Sequence, residues 1–134
     1  MDELKKIFQE YYTLNDIGGI LFWDNATYLP QNSSQSRSEQ LAVLSRLTDT
    51  TLRNDELDSL INNVRIADLS AYDKKNFNLM KEIINQENSV DPLLKEKLTR
   101  KKIECEQFWR LAKEKNDISI VSNAFNDVLS LTIE

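Results

Sequence analysis

In the first 22 residues an apolar side chain returns every third or fourth position: Leu4, Ile7, Phe8, Tyr11, Leu14, Ile17, then Leu21 and Phe22. That is the period of a helix with one face turned toward a core. Residues able to end such a helix are scarce, because the whole chain holds 2 glycines and 2 prolines. Sheets need many tight turns, and tight turns need Gly and Pro, so the shortage argues against a many-stranded fold and for long helices. The spacing predicts a helix from about Asp2 to Asn25. Gly18-Gly19 interrupts it, either bending it or letting another helix approach closely.

The remaining segments repeat the pattern. Pro30 disfavours helical geometry at Leu29, so Tyr28 to Ser34 reads as a loop. Ser36 and Glu39 fit a capping box that opens a second helix, with Gln40, Val43, Leu44, Leu47 and Thr51 on its inner face and an end near Leu52. Asp55 is placed to cap a short helix carrying Leu57, Leu60, Ile61 and Val64. Ser70 with Asp73 signals another start, followed by Tyr72, Asn76, Leu79, Met80 and Ile83 and an end near Glu87. Asp91-Pro92 is a strong start, since Asp caps and Pro at the first position has no hydrogen bond to lose. The stripe Leu94, Leu98, Cys105, Phe108, Ala112 then predicts about 24 residues, ~36 Å of helix. Lys101 interrupts that stripe, its stem lying along the seam and its ammonium in water. Asp117 caps the last helix, with Val121, Ala124, Phe125, Val128 and Leu131 inward. The expected fold is all-α: five to six helices in one domain over residues 1–134, an antiparallel assembly with long helical hairpins.

Zero histidines is the count that bears most on chemistry. Histidine is the commonest metal ligand and the usual general base near neutral pH, so no HExxH helix, Ser-His-Asp triad or Cys-His pair can form. The net charge of −5 disfavours nucleic acid and anionic membrane surfaces as partners. Cys105 is the 1 cysteine, which excludes an intrachain disulfide and suits a reducing compartment, hence a cytoplasmic expectation. The N-terminus lacks the unbroken apolar stretch of a signal peptide, and no run of about 20 apolar residues exists to span a membrane. The end at Leu131-Thr132-Ile133-Glu134 carries no stop signal such as a C-cap glycine, so a piece of something longer is expected.

Local clusters admit two readings each. Trp23-Asp24 fits a ligand- or partner-binding pair, or a ring that packs while Asp24 caps or pairs locally; the structural reading carries more weight. Arg37 beside Glu39 could clamp a substrate carboxylate, yet a surface ion pair next to a cap is the commoner arrangement. The charge run Lys95 to Gln107 interleaves acids with bases and reads as a solvated helix face. Cys105 lies on the apolar stripe as a small hydrophobe. Of Phe108 and Trp109, one ring fits the core and the other lies beside it.

Taken together, two stretches resemble one family. "LFWDNATYLPQNSSQSRSEQLAVLSRL" (Leu21 to Leu47) is similar to the W-D-x-x-T-x-x-P element of the carboxypeptidase Taq family, with Trp23, Asp24, Thr27, Pro30, Arg37 and Gln40 in the expected places. "VDPLLKEKLTRKKIECEQFWRLAKEKNDISIVSNAFNDVLSL" (Val90 to Leu131) resembles the segment in which W-x-x-A-x-x-x-x-D follows a long helix, matched by Trp109, Ala112 and Asp117. Three departures are mild: Asn25 stands where many members carry Gln, Lys113 where Arg is common, and Ile118 where an aromatic is usual.

The resemblance implies a largely helical, metal-dependent carboxypeptidase that removes C-terminal residues with a water activated by zinc or another divalent metal. It also implies that the HExxH helix, the third ligand and the substrate motifs lie beyond the point matching Glu134. On that reading this chain holds no catalytic, cofactor-binding or metal residue. It is the N-terminal wall and cap over the groove, inactive alone. Trp23, Asp24, Thr27, Pro30, Arg37, Trp109 and Asp117 are then structural, with Trp23-Asp24 and Pro30 fixing the turn between the first two long helices. The partner is the missing catalytic portion or a second copy. The rival expectations are a stand-alone helical interaction or dimerisation module, and a subunit that completes a split peptidase.

Overall fold

The computed structural model describes residues 1–53 and 55–133, with only the backbone of Gln31; Glu134, on which the expectation about the chain's end rests, lies outside them. The described residues form six α-helices: α1 (Asp2–Thr27), α2 (Ser34–Thr51), α3 (Asp55–Asn62), α4 (Ala71–Asn88), α5 (Pro92–Lys115) and α6 (Ser119–Ile133). No strand occurs among them, and the all-α expectation holds. No helix among the described residues is long and apolar enough to cross a membrane.

Pairings between helices give the direction of each. Gly18 meets Leu44 and Asp24 meets Arg37, so α1 and α2 run antiparallel. Lys95 meets Asp49 and Arg100 meets Glu39, so α2 and α5 are antiparallel as well. Lys101 reaches Asp127, which ties α5 to α6. The long helices therefore follow one another in the order α1, α2, α5, α6. At one end, α3 and α4 close a core against the first half of α1: Leu4, Phe8, Tyr11, Leu52, Leu57, Phe77 and Ile84. Leu4, Leu52 and Leu57 are each 1% exposed, and truncating such a side chain to alanine costs about 2–5 kcal/mol.

Several starts follow their sequence signals. Ser70 Oγ accepts from the Asp73 amide at 3.1 Å, and Asp91 Oδ1 accepts from the amides of Leu93 and Leu94 with Pro92 at the first helical position. Asp117 Oδ1 accepts from the Ser119 amide at 2.9 Å and opens α6. Asn116, at φ 50°, ends α5 in the left-handed conformation that Asn tolerates.

Other expectations are corrected. The glycine pair does not interrupt α1, which continues to Thr27. Gly18 faces Leu44 Cδ2, 3.5 Å from where a Cβ would stand, and Gly19 faces open space. The capping box at Ser36 is absent. The chain turns at Pro30 into a 3-10 turn over Gln31–Ser33, with the Ser33 amide donating to Pro30 O at 2.9 Å. The helical path is thus already under way at Ser34, and Glu39 pairs with Arg100 instead. Asp55 is the first residue of α3 and not its cap, and Val64 lies past the end. In α2 the buried side chains are Leu41, Ala42 and Asp49, while Gln40, Val43 and Leu47 face outward. In α4 the buried pair is Phe77 and Ile84, while Tyr72 and Leu79 are exposed. In α5 Ile103 and Ala112 are buried, and both Phe108 and Trp109 are exposed. In α6 Phe125 is exposed, while Val121, Ala124 and Leu131 are inward.

Since a Cβ fits at both glycines, Gly18→Ala and Gly19→Ala should each stabilise the chain by about 0.5–1 kcal/mol in urea unfolding, as expected for Gly→Ala within a helix. A loss in Gly18→Ala alone would mean that Leu44 cannot yield.

Candidate functional site

Two polar clusters join the helices. The first is built on the family-like motif at the end of α1. The α1 C-terminus has no basic residue in its last turn, so its free carbonyls and the Asp24 carboxylate concentrate negative charge there. Arg37 of α2 answers the carboxylate and adds a bond to a carbonyl one turn earlier. Its Nη2 lies 2.5 Å from Asp24 Oδ2, and its Nη1 donates to the Leu21 carbonyl at 3.1 Å. Thr27 Oγ1 donates back to the Trp23 carbonyl at 2.7 Å. The Trp23 ring is 60% exposed and packs edge-on against Tyr28, centroids 5.5 Å apart. Pro30 sets the extended residue from which the 3-10 turn begins.

The residue between the motif positions is the most buried of the group. Asn25 is 1% exposed. Its Oδ1 accepts from Gln107 Nε2 at 3.1 Å, and its carbonyl accepts from the Arg110 guanidinium, so α5 is fastened to the end of α1. In the sequence Asn25 stands out only as a departure from the family pattern. The available signal was periodicity, because Leu4, Phe8, Tyr11, Asn15, Gly18, Phe22 and Asn25 recur at alternating four- and three-residue steps.

Asp24 and Arg37 are thus brought together, and Trp23 and Thr27 adjoin them. Trp109, 46% exposed, sits beside Arg110 on α5 without a described contact to the motif, and Asp117 caps α6. The Asp117 carboxyl is held below the usual carboxylate range by the hydroxyl and amide of Ser119.

The second cluster lies where α2, α4 and α5 meet. Lys95 Nζ stands 3.0 Å from Asp49 Oδ1 and 2.7 Å from Glu87 Oε2, and donates to the Glu87 carbonyl at 2.5 Å. Arg53 pairs with Asp49 at 2.7 Å and donates to the carbonyls of Glu87 and Val90. Tyr11 of α1 donates to Glu87 Oε1 at 3.1 Å. Burial, followed by the Glu87 charge, pushes the Tyr11 phenol up to about 12. A small cleft of about 170 Å³ opens onto this cluster, lined by Tyr11, Asn15, Thr48, Asp49 and Lys95 among others.

Neither cluster suits a catalytic divalent metal. Such a site needs three protein ligands and an open position for water. Asp24 is engaged by Arg37, and Asp49 and Glu87 already hold a lysine and an arginine. Among the described residues no group of three or more His, Cys, Asp or Glu could hold a metal ion. Cys105 is half-buried, its thiol raised by burial and then by Glu106 and Glu104, which disfavours the nucleophilic thiolate.

The family model for carboxypeptidase Taq (M32) metallopeptidases matches residues 3–134. The chain belongs to that family. No curated protein matches it. Within this carboxypeptidase Taq segment Asp24 and Arg37 of the motif join α1 to α2, and Asn25, between the motif positions, joins α1 to α5.

Asn25→Ala should cost about 2 kcal/mol in urea unfolding, since it strips the Gln107 amide of its partner in a buried place. Trp23→Ala should stay within ~0.5 kcal/mol, as is usual for an exposed side chain. Equal losses would reassign the anchor to the ring. Tyr11 gives a pH signature. Its phenol is favoured in the neutral form by the fold, so its contribution is complete below an unfolded value near ~10 and fades as pH rises toward about 12. Tyr11→Phe should therefore be less stable than the parent near pH 8, and that gap should close as pH climbs through the same window, read from urea midpoints. A gap that stays constant would show that the phenol does not titrate with folding.

Proposed function

We propose that residues 1–134 form the helical wall of a metallocarboxypeptidase, and that hydrolysis requires metal ligands supplied from outside these residues. What carries the reading is one conjunction: a carboxypeptidase Taq match across residues 3–134 in a chain that holds 0 histidines. Family chemistry rests on a metal-activated water, and among the described residues no group of three or more His, Cys, Asp or Glu is placed to bind the metal. The role left to the chain is architectural. Its clamps set the angles at which α1, α2 and α5 leave their common end.

Exposed apolar groups support that role. Ile20 is 66% exposed, Trp23 60%, Phe125 58% and Leu47 50%. The helices leave part of their apolar surface uncovered, and that surface is available to further protein. We place the protein in the cytoplasm, because Cys105 is its only cysteine and suits a reducing compartment.

The purified chain, supplied with Zn²⁺ or Co²⁺, should release no C-terminal residue from a peptide and should take up no stoichiometric metal in calorimetry. Release above a chelated control would overturn the reading. An antibody raised to the chain should also detect a native product several times heavier than 15.6 kDa. A band at 15.6 kDa would instead give the metal ligands to a separate polypeptide.

A further inference from the structure

Beside its inward stripe the first helix carries a second face that the fold covers only in part: Ile7 packs against the core, while Ile17 is exposed. The inward stripe runs through Leu4, Phe8, Tyr11, Gly18 and Asn25. A second runs through Glu3, Ile7, Glu10, Leu14, Ile17 and Leu21, again at alternating four- and three-residue steps. It forms one wall of an open crevice whose other wall is α2, where Val43 and Leu47 face it. The crevice has two connected parts, of about 620 and 470 Å³, which share Leu47. Ile17, Val43 and Leu47 are 43%, 42% and 50% exposed.

We propose that this crevice seats a basic amphipathic helix. The helical form of the occupant follows from the walls. Ile7, Leu14 and Leu21 recur every seven residues on α1, and Val43 and Leu47 lie one turn apart on the antiparallel α2, which leaves holes into which the knobs of a third helix fit. Ile7 to Leu21 spans ~21 Å of α1, which a helix of about 15 residues would cover at ~1.5 Å per residue. The charge of the occupant follows from the rim. At the end next to α3, the carboxylates of Glu3, Glu10 and Glu56 line the crevice against one lysine, Lys6. None of these three carboxylates enters an ion pair among the described residues, whereas Asp24, Asp49 and Glu87 all do. Lysine or arginine flanking the occupant's apolar face at that end would compensate them and favour one orientation. This inference uses nothing of the peptidase reading and stands or falls separately from it.

The test is binding of fluorescent peptides of about 15 residues to the full chain, followed by anisotropy. The probe has leucines at the first and fourth positions of each heptad and lysines elsewhere, and its counterpart has glutamates for the lysines. The lysine peptide should bind at least about tenfold more tightly than the glutamate peptide. Leu47→Lys should abolish binding, whereas Leu93→Lys, at a 77% exposed leucine of α5, should leave it unchanged. Glu3→Lys with Glu10→Lys, which keeps the apolar walls, should remove the preference for the lysine peptide. Helix content by circular dichroism should match the parent in each variant. Equal binding of the two peptides, or equal loss in Leu47→Lys and Leu93→Lys, would overturn the proposal. A chain of twice 15.6 kDa in light scattering that becomes monomeric in Leu47→Lys would also overturn it, by giving the crevice to a second copy.

Discussion

Four helices meet around the ammonium of Lys95. The lysine belongs to α5, its acceptors come from Asp49 of α2 and Glu87 of α4, and Glu87 in turn accepts from Tyr11 of α1. Asp49 is buried, and Lys95 is 20% exposed in its side chain. Taking these charges from water is costly, and their mutual attraction repays the cost only when geometry and neighbouring hydrogen bonds are good. Here Arg53 completes the balance, giving two cations and two carboxylates. Such a cluster adds less net stability than an apolar core of the same volume, but it tolerates few arrangements. Sliding α4 along α1 by one turn would leave Glu87 without Tyr11 and Lys95 without Glu87. The cluster therefore sets register, while the apolar core of Leu4, Phe8, Leu52, Leu57 and Phe77 beside it supplies most of the burial.

The clamp at the other end of α1 works by a different physical rule. A helix C-terminus presents unpaired carbonyls, and α1 brings no basic residue of its own to answer them. Arg110 arrives from α5 at one of them, the Asn25 carbonyl, while Arg37 of α2 answers the Asp24 carboxylate and also reaches the Leu21 carbonyl within the helix. In this chain the residues of the W-D-x-x-T-x-x-P pattern make local and helix-joining contacts. Asp receives the arginine, Thr bonds back to the Trp carbonyl within the last turn, and Pro starts the turn into α2.

Much of the helix inventory was legible because it depends on local chemistry. Ser70, Asp91-Pro92 and Asp117 act on amides two or three residues away, and such signals need no knowledge of the rest of the chain. Which stripe turns inward was less legible. In α2 the residues Val43 and Leu47 are as apolar and as regularly spaced as Leu41 and Leu44, and periodicity cannot rank two stripes on one helix. In α4 a shift of one residue separates the expected Asn76 and Ile83 from the buried Phe77 and Ile84. Asn25 escaped for another reason. A polar residue on an apolar stripe is recognisable as an anchor only once its partners are known, and Gln107 and Arg110 lie more than eighty positions away in sequence. The carboxypeptidase Taq resemblance was legible because it rests on residue types at fixed spacing, and the family match covers the same span.

The same doubling of stripes that blurred the sequence reading bears on what the chain is for. A helix with one apolar stripe can satisfy it against one neighbouring layer, and it then presents a polar back to water. A helix with two must be covered on two sides. In α1 the inward stripe is covered by α3, α4 and α5 along most of its length, through Leu4, Phe8, Tyr11 and Asn25. The second stripe shares a crevice with α2 but is closed by nothing in residues 1–53 and 55–133. Mutation pressure toward solubility would be expected to place charges at Ile17, Val43 and Leu47, positions that contribute little to the core while they remain exposed. Their apolar character leaves that face suited to contact with further protein. The lysine cluster and the arginine clamp fasten the helices to one another, and Ile17, Val43 and Leu47 remain outside that fastening.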